Sequence, residues 1–177
     1  LSPNIVVGIC QHRWRFGDPA ERKKFADLRR QWLDKMSGSE KKLIIWDYYL
    51  YTKSMPGVPI YFPHAIAEDL RSLKGISLGD FIETFRDNTG INTLAADHLN
   101  MYVTSRFWWD SGQDLEVLLD EYYNLFYGPA AQEMKAFIEY SEANFMEMTK
   151  SADKIDKAFE LLEKARQKTP EDSIHAK

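Results

Sequence analysis

Three acidic side chains follow apolar runs of this sequence, and their types and spacing suit acid and base chemistry. Asp47 directly follows the apolar run at residues 43–46, and Asp80 and Glu83 follow a second run at residues 75–78. Glycoside hydrolysis uses two carboxyl groups, about 5 to 5.5 Å apart in retaining enzymes and about 6.5 to 9.5 Å apart in inverting ones. Adjacent strands lie about 4.8 Å apart, so carboxylates at neighbouring strand ends fall within reach of these separations. These three residues are therefore the candidate catalytic groups.

Each of these carboxylates also has a structural interpretation. Asp47 can cap a helix or order the loop that follows it. Asp80 and Glu83 can equally be acidic residues in the first turn of a helix, where the helix dipole favours negative charge. The spacing alone leaves both interpretations open.

Aromatic and histidine side chains accompany the candidate acids. Aromatic rings are the large contributors to protein cores, and they also stack on the apolar faces of sugars. The candidate substrate-binding residues are His12, Trp14, Trp46, Tyr48, Tyr49 and His64. Two structural alternatives apply to this set: Arg13 and Arg15 indicate that His12 and Trp14 lie in an exposed loop, and His64 simply opens a helix after Pro63.

Composition excludes several classes of function. The chain has 177 residues, 44% hydrophobic and 28% charged, which is typical of one soluble globular domain. A net charge of −4 without a basic tract argues against nucleic-acid binding, and no apolar run is long enough to span a membrane. The four histidines lack metal-ligand spacing, the single cysteine forms no internal disulfide, and no phosphate-binding glycine loop occurs. We expect no metal and no cofactor.

The periodicity of apolar residues predicts alternating strands and helices up to residue 78. Strands are predicted at residues 4–10, 43–47 and 75–78, with helices at 19–36 and 64–73, the first capped by Asp18. The central strand is expected to be buried on both faces, as in parallel sheets under helices. The Pro-rich loop at residues 51–63 is long, and long loops at this end of a sheet are usually functional.

The second part of the chain is predicted to be helical. Helices are expected at residues 91–109, 115–126, 134–148 and 155–162, and Gly128 is expected to cap the second of them in a left-handed conformation. The predicted order of strand, helix, strand, helix and strand implies right-handed crossovers and a parallel sheet, and therefore an α/β fold. Three parallel strands leave two apolar edges unpaired, which natural proteins avoid. We therefore predict a partial (β/α)8 TIM-type barrel at residues 1–110 and trailing helices packed on it at 111–177.

Several phrases of the sequence recur together in a recognisable family. PNIVVGICQH, IIWDYY, VPIYFPHAIAEDLRSLKGIS and the passage from HLNMYVTSRFWWD to FYGPAAQEMKAFIEY resemble a bacterial family of uncharacterised domains related to α-glucuronidases and hexosaminidase-like glycoside hydrolases. The resemblance implies a (β/α)8 catalytic barrel and a polysaccharide or glycan substrate. It puts Asp47 at the WDY position at the pocket end. The sequence departs from the family pattern at the end of the next strand, where relatives carry an acidic residue and this chain has Leu78 and Gly79.

The resemblance implies that the chain supplies the second half of the barrel, without the strand that carries the general acid in related enzymes. The missing strands come from the rest of the polypeptide or from a second subunit. We therefore expect part of a glycoside hydrolase-like barrel, inactive as this segment alone and secreted or periplasmic. The alternative is a non-catalytic glycan-binding or scaffolding module that retains the barrel fold.

Overall fold

The structure is a computed structural model that describes residues 4–36, 43–49, 60–84 and 93–176. Within these residues the chain is an α/β protein with three parallel strands in one sheet, and most of its residues are helical. In chain order the elements are β1 Val7–Gln11, α1 Pro19–Lys35, β2 Leu43–Tyr49, α2 Pro63–Leu73, β3 Ser77–Thr84, α3 Thr93–Trp109, α4 Leu115–Tyr127, α5 Ala131–Met148 and α6 Ala152–Lys168. Short 3-10 turns follow β1, α4 and α6. Most of the Pro-rich loop predicted to be functional, at residues 51–59, lies outside the described residues.

The chain forms two compact units. The first comprises Leu1–Met55 and Phe62–Gly112, and the second comprises Pro56–Tyr61 and Gln113–Lys177. The first unit contains the sheet and α1 to α3, and the second contains α4 to α6. None of the described helices combines the length and the apolar character that crossing a bilayer requires.

The strands of the sheet follow chain order, β1, β2, β3, and all pair in parallel. The prediction that β2 is buried on both faces is wrong, because its side chains alternate between buried and more accessible positions. Leu43, Ile45 and Tyr49 are 0% exposed, whereas Ile44 is 36% exposed. Alternation of this kind arises when helices cover only one face of a sheet.

The third strand is longer than its apolar run predicts. It spans Ser77–Thr84 and therefore contains Asp80 and Glu83, so the first-turn interpretation of these two acids is wrong. A β-bulge at the start of the strand skips Leu78: Leu43 pairs with Ser77, and the next residue, Ile44, pairs with Gly79. Gly79 has a φ of +151°, a conformation that side-chain-bearing residues rarely adopt. The bulge shifts the alternation of every residue after it.

Local signals at the helix ends agree with the sequence. The side chain of Asp18 caps α1 by accepting a hydrogen bond of 2.8 Å from the backbone N–H of Ala20, which confirms the predicted cap. Helix α2 buries one apolar face formed by Ile66, Ala67, Leu70 and Leu73.

The second unit is built from three helices. Asp114 caps α4 through the backbone N–H groups of Glu116 and Val117. Gly128 ends this helix with a φ of +51°, the positive value that was predicted and that favours glycine. The core residues of these helices include Leu118, Leu119, Tyr122, Phe137, Ile138 and Met148.

Candidate functional site

The register of the strands divides their side chains between two faces. Three helices hydrogen-bond to the buried face: Arg29 of α1 and Asp69 of α2 contact Gln11, and Thr104 of α3 contacts Tyr49. We call the other side the open face, and it is formed by Gly8, Cys10, His12, Ile44, Trp46, Tyr48, Phe81 and Glu83. All three helices that follow the strands therefore lie on the same side of the sheet.

A polar row crosses the open face at the carboxyl ends of the strands. Tyr48 lies directly beside Glu83 in the register of β2 and β3. The ring of His12, which directly follows β1, lies 5.2 Å from the ring of Tyr48. Each strand thus contributes one hydrogen-bonding side chain at the end of a parallel sheet where ligands usually bind.

Aromatic rings form a platform directly below this row. Trp46 is 41% exposed and Phe81 is 52% exposed, and their ring centroids are 4.9 Å apart in an edge-to-face arrangement. The ring of Tyr48 stacks at 6.4 Å from that of Trp46. The indole N–H of Trp46 donates a 3.2 Å hydrogen bond to Oε2 of Glu83, which fixes the carboxylate at the edge of the platform. The arrangement offers an accessible apolar surface bordered by hydrogen-bonding groups.

His12 keeps one hydrogen-bonding atom unused. Its Nδ1 is buried and has no hydrogen-bond partner among the described residues. Partial burial lowers the pKa of the imidazole, Arg15 lowers it further, and Glu21 acts in the opposite direction. His12 is therefore neutral at pH 7, with one ring nitrogen able to donate and the other able to accept a hydrogen bond.

Asp47 lies on the buried face and is 0% exposed. Its Oδ1 accepts hydrogen bonds from the backbone N–H groups of Arg13, at 3.2 Å, and Tyr48, at 2.8 Å. Its Oδ2 lies 3.4 Å from Nε2 of Gln11 and 3.4 Å from Nη1 of Arg13. Burial raises the pKa of Asp47 to about 6, against the opposing effect of Arg13. The carboxylate joins the end of β1 to the end of β2, and its predicted catalytic role stays a prediction.

On the opposite, buried face of the sheet lies an ionic cluster formed by Arg13, Arg29, Asp47, Asp69 and Asp80. Arg13 is 0% exposed and pairs with Asp69 at 2.7 Å, with Asp80 at 2.5 Å and with Asp47 at 3.4 Å. Arg29 pairs with the second oxygen of Asp69 at 2.7 Å. Burial acts to raise the pKa of Asp69, but Arg13 and Arg29 outweigh it and hold this pKa below its ordinary value. One guanidinium group thus connects β1, β2, α2 and β3.

The predicted site residues separate between the two faces. His12, Trp46, Tyr48 and Glu83 come together on the open face. Three others lie beneath it: Asp47 and Asp80 belong to the ionic cluster, and Tyr49 is fully buried with its hydroxyl 2.8 Å from that of Thr104. Trp14 is 8% exposed beside His12, at a ring distance of 6.1 Å, and His64 is exposed in the first turn of α2.

Sequence reasoning missed the residues of the ionic cluster other than Asp47 and Asp80. Arg13 had indicated an exposed loop, yet it is fully buried. One signal was present: Asp69 falls on the apolar face of α2, between Ile66 and Leu70. A carboxylate on such a face needs a buried cationic partner, and Arg13 and Arg29 are those partners.

A second buried acid, Asp97 in α3, was also missed. It is 1% exposed, its Oδ1 accepts a 2.8 Å hydrogen bond from Nδ2 of Asn100, and its Oδ2 has no hydrogen-bond partner among the described residues. Burial raises the pKa of Asp97 to about 7; Asn100 opposes this effect and Asp47 adds to it. In the described part of the chain, no three histidine, cysteine or acidic side chains are grouped to hold a metal ion.

Comparison with protein families identifies one match. The family model described as "Domain of unknown function (DUF4838)" matches residues 1–139. The chain belongs to this family. The DUF4838 match covers the whole open face, the ionic cluster and part of the helical unit. Comparisons with curated proteins and with solved structures give no match to the chain.

Proposed function

We propose that the open face of this DUF4838 chain is one wall of a carbohydrate-binding pocket in a glycoside hydrolase-like barrel. The observation that carries the proposal is the platform of Trp46 and Phe81, about half exposed, beneath the row of His12, Tyr48 and Glu83. Sugars present apolar C–H faces to aromatic rings and hydroxyl groups to polar side chains at the edge. The platform and the row offer both kinds of contact within one surface.

The order of the elements supports a partial barrel. Strands β1, β2 and β3 are adjacent in chain order, each is followed by a helix, and α1, α2 and α3 all contact the same face. Helices on one side of a parallel sheet are what a (β/α)8 barrel requires, and the open face would then line its interior. We propose that the other strands come from the rest of the polypeptide or from a second subunit.

In the enzyme that we propose, Glu83 is the carboxylate closest to the bound sugar. Its Oε2 is held by the indole of Trp46, which leaves Oε1 for a sugar hydroxyl or for proton transfer. Asp47 would contribute by fixing the backbone of Arg13 and Tyr48, and so the position of the row, more than by direct contact. The activity would be directed at extracellular or periplasmic glycans.

A non-catalytic glycan-binding module is the second candidate. It is favoured by the number of acids, since Glu83 is the single carboxylate on the open face within the described residues, whereas hydrolysis uses two. In this case the platform and the row would bind sugar without cleaving it.

The experiment that tests the proposal is a hydrolysis and binding screen on the protein expressed from its complete reading frame. Wild type, Glu83→Gln and Asp47→Asn are compared, with the exposed Asp153→Asn on α6 as the matched control. We expect Glu83→Gln to reduce kcat on the best substrate about 100-fold or more, and Asp153→Asn to leave it unchanged.

The outcomes separate the two candidates. Wild-type kcat in Glu83→Gln would remove the catalytic role of Glu83. Glycan binding without hydrolysis in every protein would replace the enzyme with the binding module. Absence of both binding and hydrolysis in the wild type would overturn the carbohydrate proposal as a whole.

A further inference from the structure

The charges around the open face are unevenly distributed. Glu83 contributes a carboxylate to the row, and its side chain is partly accessible. The eight residues of the open face include no lysine and no arginine. His12 is neutral at pH 7 because burial and Arg15 lower its pKa. The charge on the open face itself is therefore negative.

The ionic cluster beneath the sheet adds to this negative potential. It contains two guanidinium groups and three carboxylates, which leaves one carboxylate charge uncompensated when all are ionised. The guanidinium of Arg13 is fully buried among three carboxylates, so it is not accessible to a ligand on the other face. Buried charges are screened by salt much less than exposed ones.

Within the described residues, the exposed cation Arg15 lies near the row, and an acid opposes its effect on His12. Arg15 lies 5.4 Å from the ring of Trp14, and it influences His12. Glu21 acts on the same imidazole in the opposite direction. Arg15 is exposed and Glu21 is partly buried, and their opposite charges act on the imidazole of His12 in opposite directions. Among the described residues, Arg15 forms no ion pair with Glu83 or with the ionic cluster.

We infer that the open face selects sugars without a carboxylate, binds amino sugars most tightly and rejects uronic acids; this inference rests on the proposed function. A uronate carboxylate on the platform would meet Glu83, with no cation among the described residues of the open face to pair with, and such like-charge contacts are unfavourable. An ammonium group would instead pair with the free oxygen of Glu83 and gain cation–π attraction from the indole of Trp46.

The test compares three monosaccharides that have no linkage to match: glucose, glucosamine, which differs from glucose only by an amine at C2, and glucuronic acid, which differs from it only by a carboxylate at C6. Each is titrated into the protein at low salt while the indole N–H resonance of Trp46 is followed by NMR, with Trp46→Phe identifying that resonance. We expect affinity to fall in the order glucosamine, glucose, glucuronic acid, with about tenfold between the first and the last.

Two further measurements isolate the electrostatic cause. Glu83→Gln should narrow the tenfold range to about twofold, chiefly by weakening glucosamine, whereas the exposed control Asp153→Asn should leave it unchanged. Raising the salt concentration to about 0.5 M should also reduce the difference in affinity between glucosamine and glucuronic acid.

The failure of this inference is distinguishable from failure of the proposed function. Glucuronic acid binding as tightly as glucose, with the Trp46 resonance shifted by both, would overturn the charge selection and leave the carbohydrate site in place. If the Trp46 resonance responds neither to the three sugars nor to larger oligosaccharides built from them, both the charge selection and the carbohydrate-binding proposal are overturned.

Discussion

The indole N–H of Trp46 donates a 3.2 Å hydrogen bond to the carboxylate of Glu83, across two neighbouring strands of the open face. Glu83 reaches this face because the bulge at Leu78 brings Phe81 beside Trp46 and Glu83 beside Tyr48. The bond connects the aromatic platform to the polar row, so the two parts of the candidate site are structurally coupled.

The coupling predicts an effect of Glu83→Gln on Trp46. A neutral amide accepts a weaker hydrogen bond than a carboxylate, so the indole proton of Trp46 should move upfield in a proton–nitrogen correlation spectrum. The four other indole resonances and the spectrum of Asp153→Asn should stay unchanged. An unmoved Trp46 resonance in Glu83→Gln would show that this hydrogen bond does not form in solution.

Arg13 is predicted to be the most sensitive charged residue in the first unit. Arg13→Met leaves Asp47, Asp69 and Asp80 buried without their shared cation, and breaking a buried ion pair in this way costs about 3 to 5 kcal/mol. Urea unfolding measures the loss. The matched control is Arg30→Met on the exposed side of α1, expected within about 0.5 kcal/mol of wild type. A cost below about 1 kcal/mol for Arg13→Met would contradict the role of the cluster.

Asp97 is predicted to make stability depend on pH. Its pKa is raised to about 7 by burial, so the folded protein holds this proton more tightly than the unfolded chain does. The stability linked to this proton is fully present below the ordinary carboxyl pKa of about 4, and it is lost as the pH rises through 7.

The variant Asp97→Asn removes that titration. Its free energy of unfolding should exceed that of wild type by on the order of 1 to 3 kcal/mol at pH 8 and differ little at pH 4. Chemical denaturation at the two pH values measures this difference in the free energy of unfolding. The control Asp153→Asn should show no such dependence on pH. An equal effect of Asp97→Asn at both pH values would mean that the carboxyl group does not titrate between them.

Gly128 is predicted to be intolerant of a side chain. Its φ of +51° disfavours other residues, and a Cβ atom would lie 2.5 Å from Nε2 of His175. Gly128→Ala should therefore cost about 1 to 3 kcal/mol in the free energy of unfolding.

Two variants separate the causes at Gly128. Adding His175→Ala to Gly128→Ala should recover the steric part of the loss and leave the backbone part. Gly17→Ala, where no atom lies within 4 Å of the new Cβ, should change stability by less than about 0.5 kcal/mol. A Gly128→Ala protein as stable as wild type would contradict the positive φ.

Local sequence signals determined much of the architecture. The apolar runs before Cys10 and Asp47 predicted the first two strands, and the cap at Asp18 and the glycine at 128 predicted helix ends that the structure confirms. These features depend on periodicity and on hydrogen bonds between near neighbours, which can be read without knowing the rest of the fold. They also predicted three parallel strands, and candidate residues that include His12, Trp46 and Tyr48.

Tertiary structure alone decided which face each candidate occupies. Without the bulge at Leu78, strict alternation would put Asp80 on the open face and Glu83 on the buried one; the bulge exchanges them. Asp47 lies on the buried face because its neighbours in the register, Gln11 and Ile82, lie under the helices there. The physical reason is that alternation has a period of two, so one skipped residue reverses the side of all that follow.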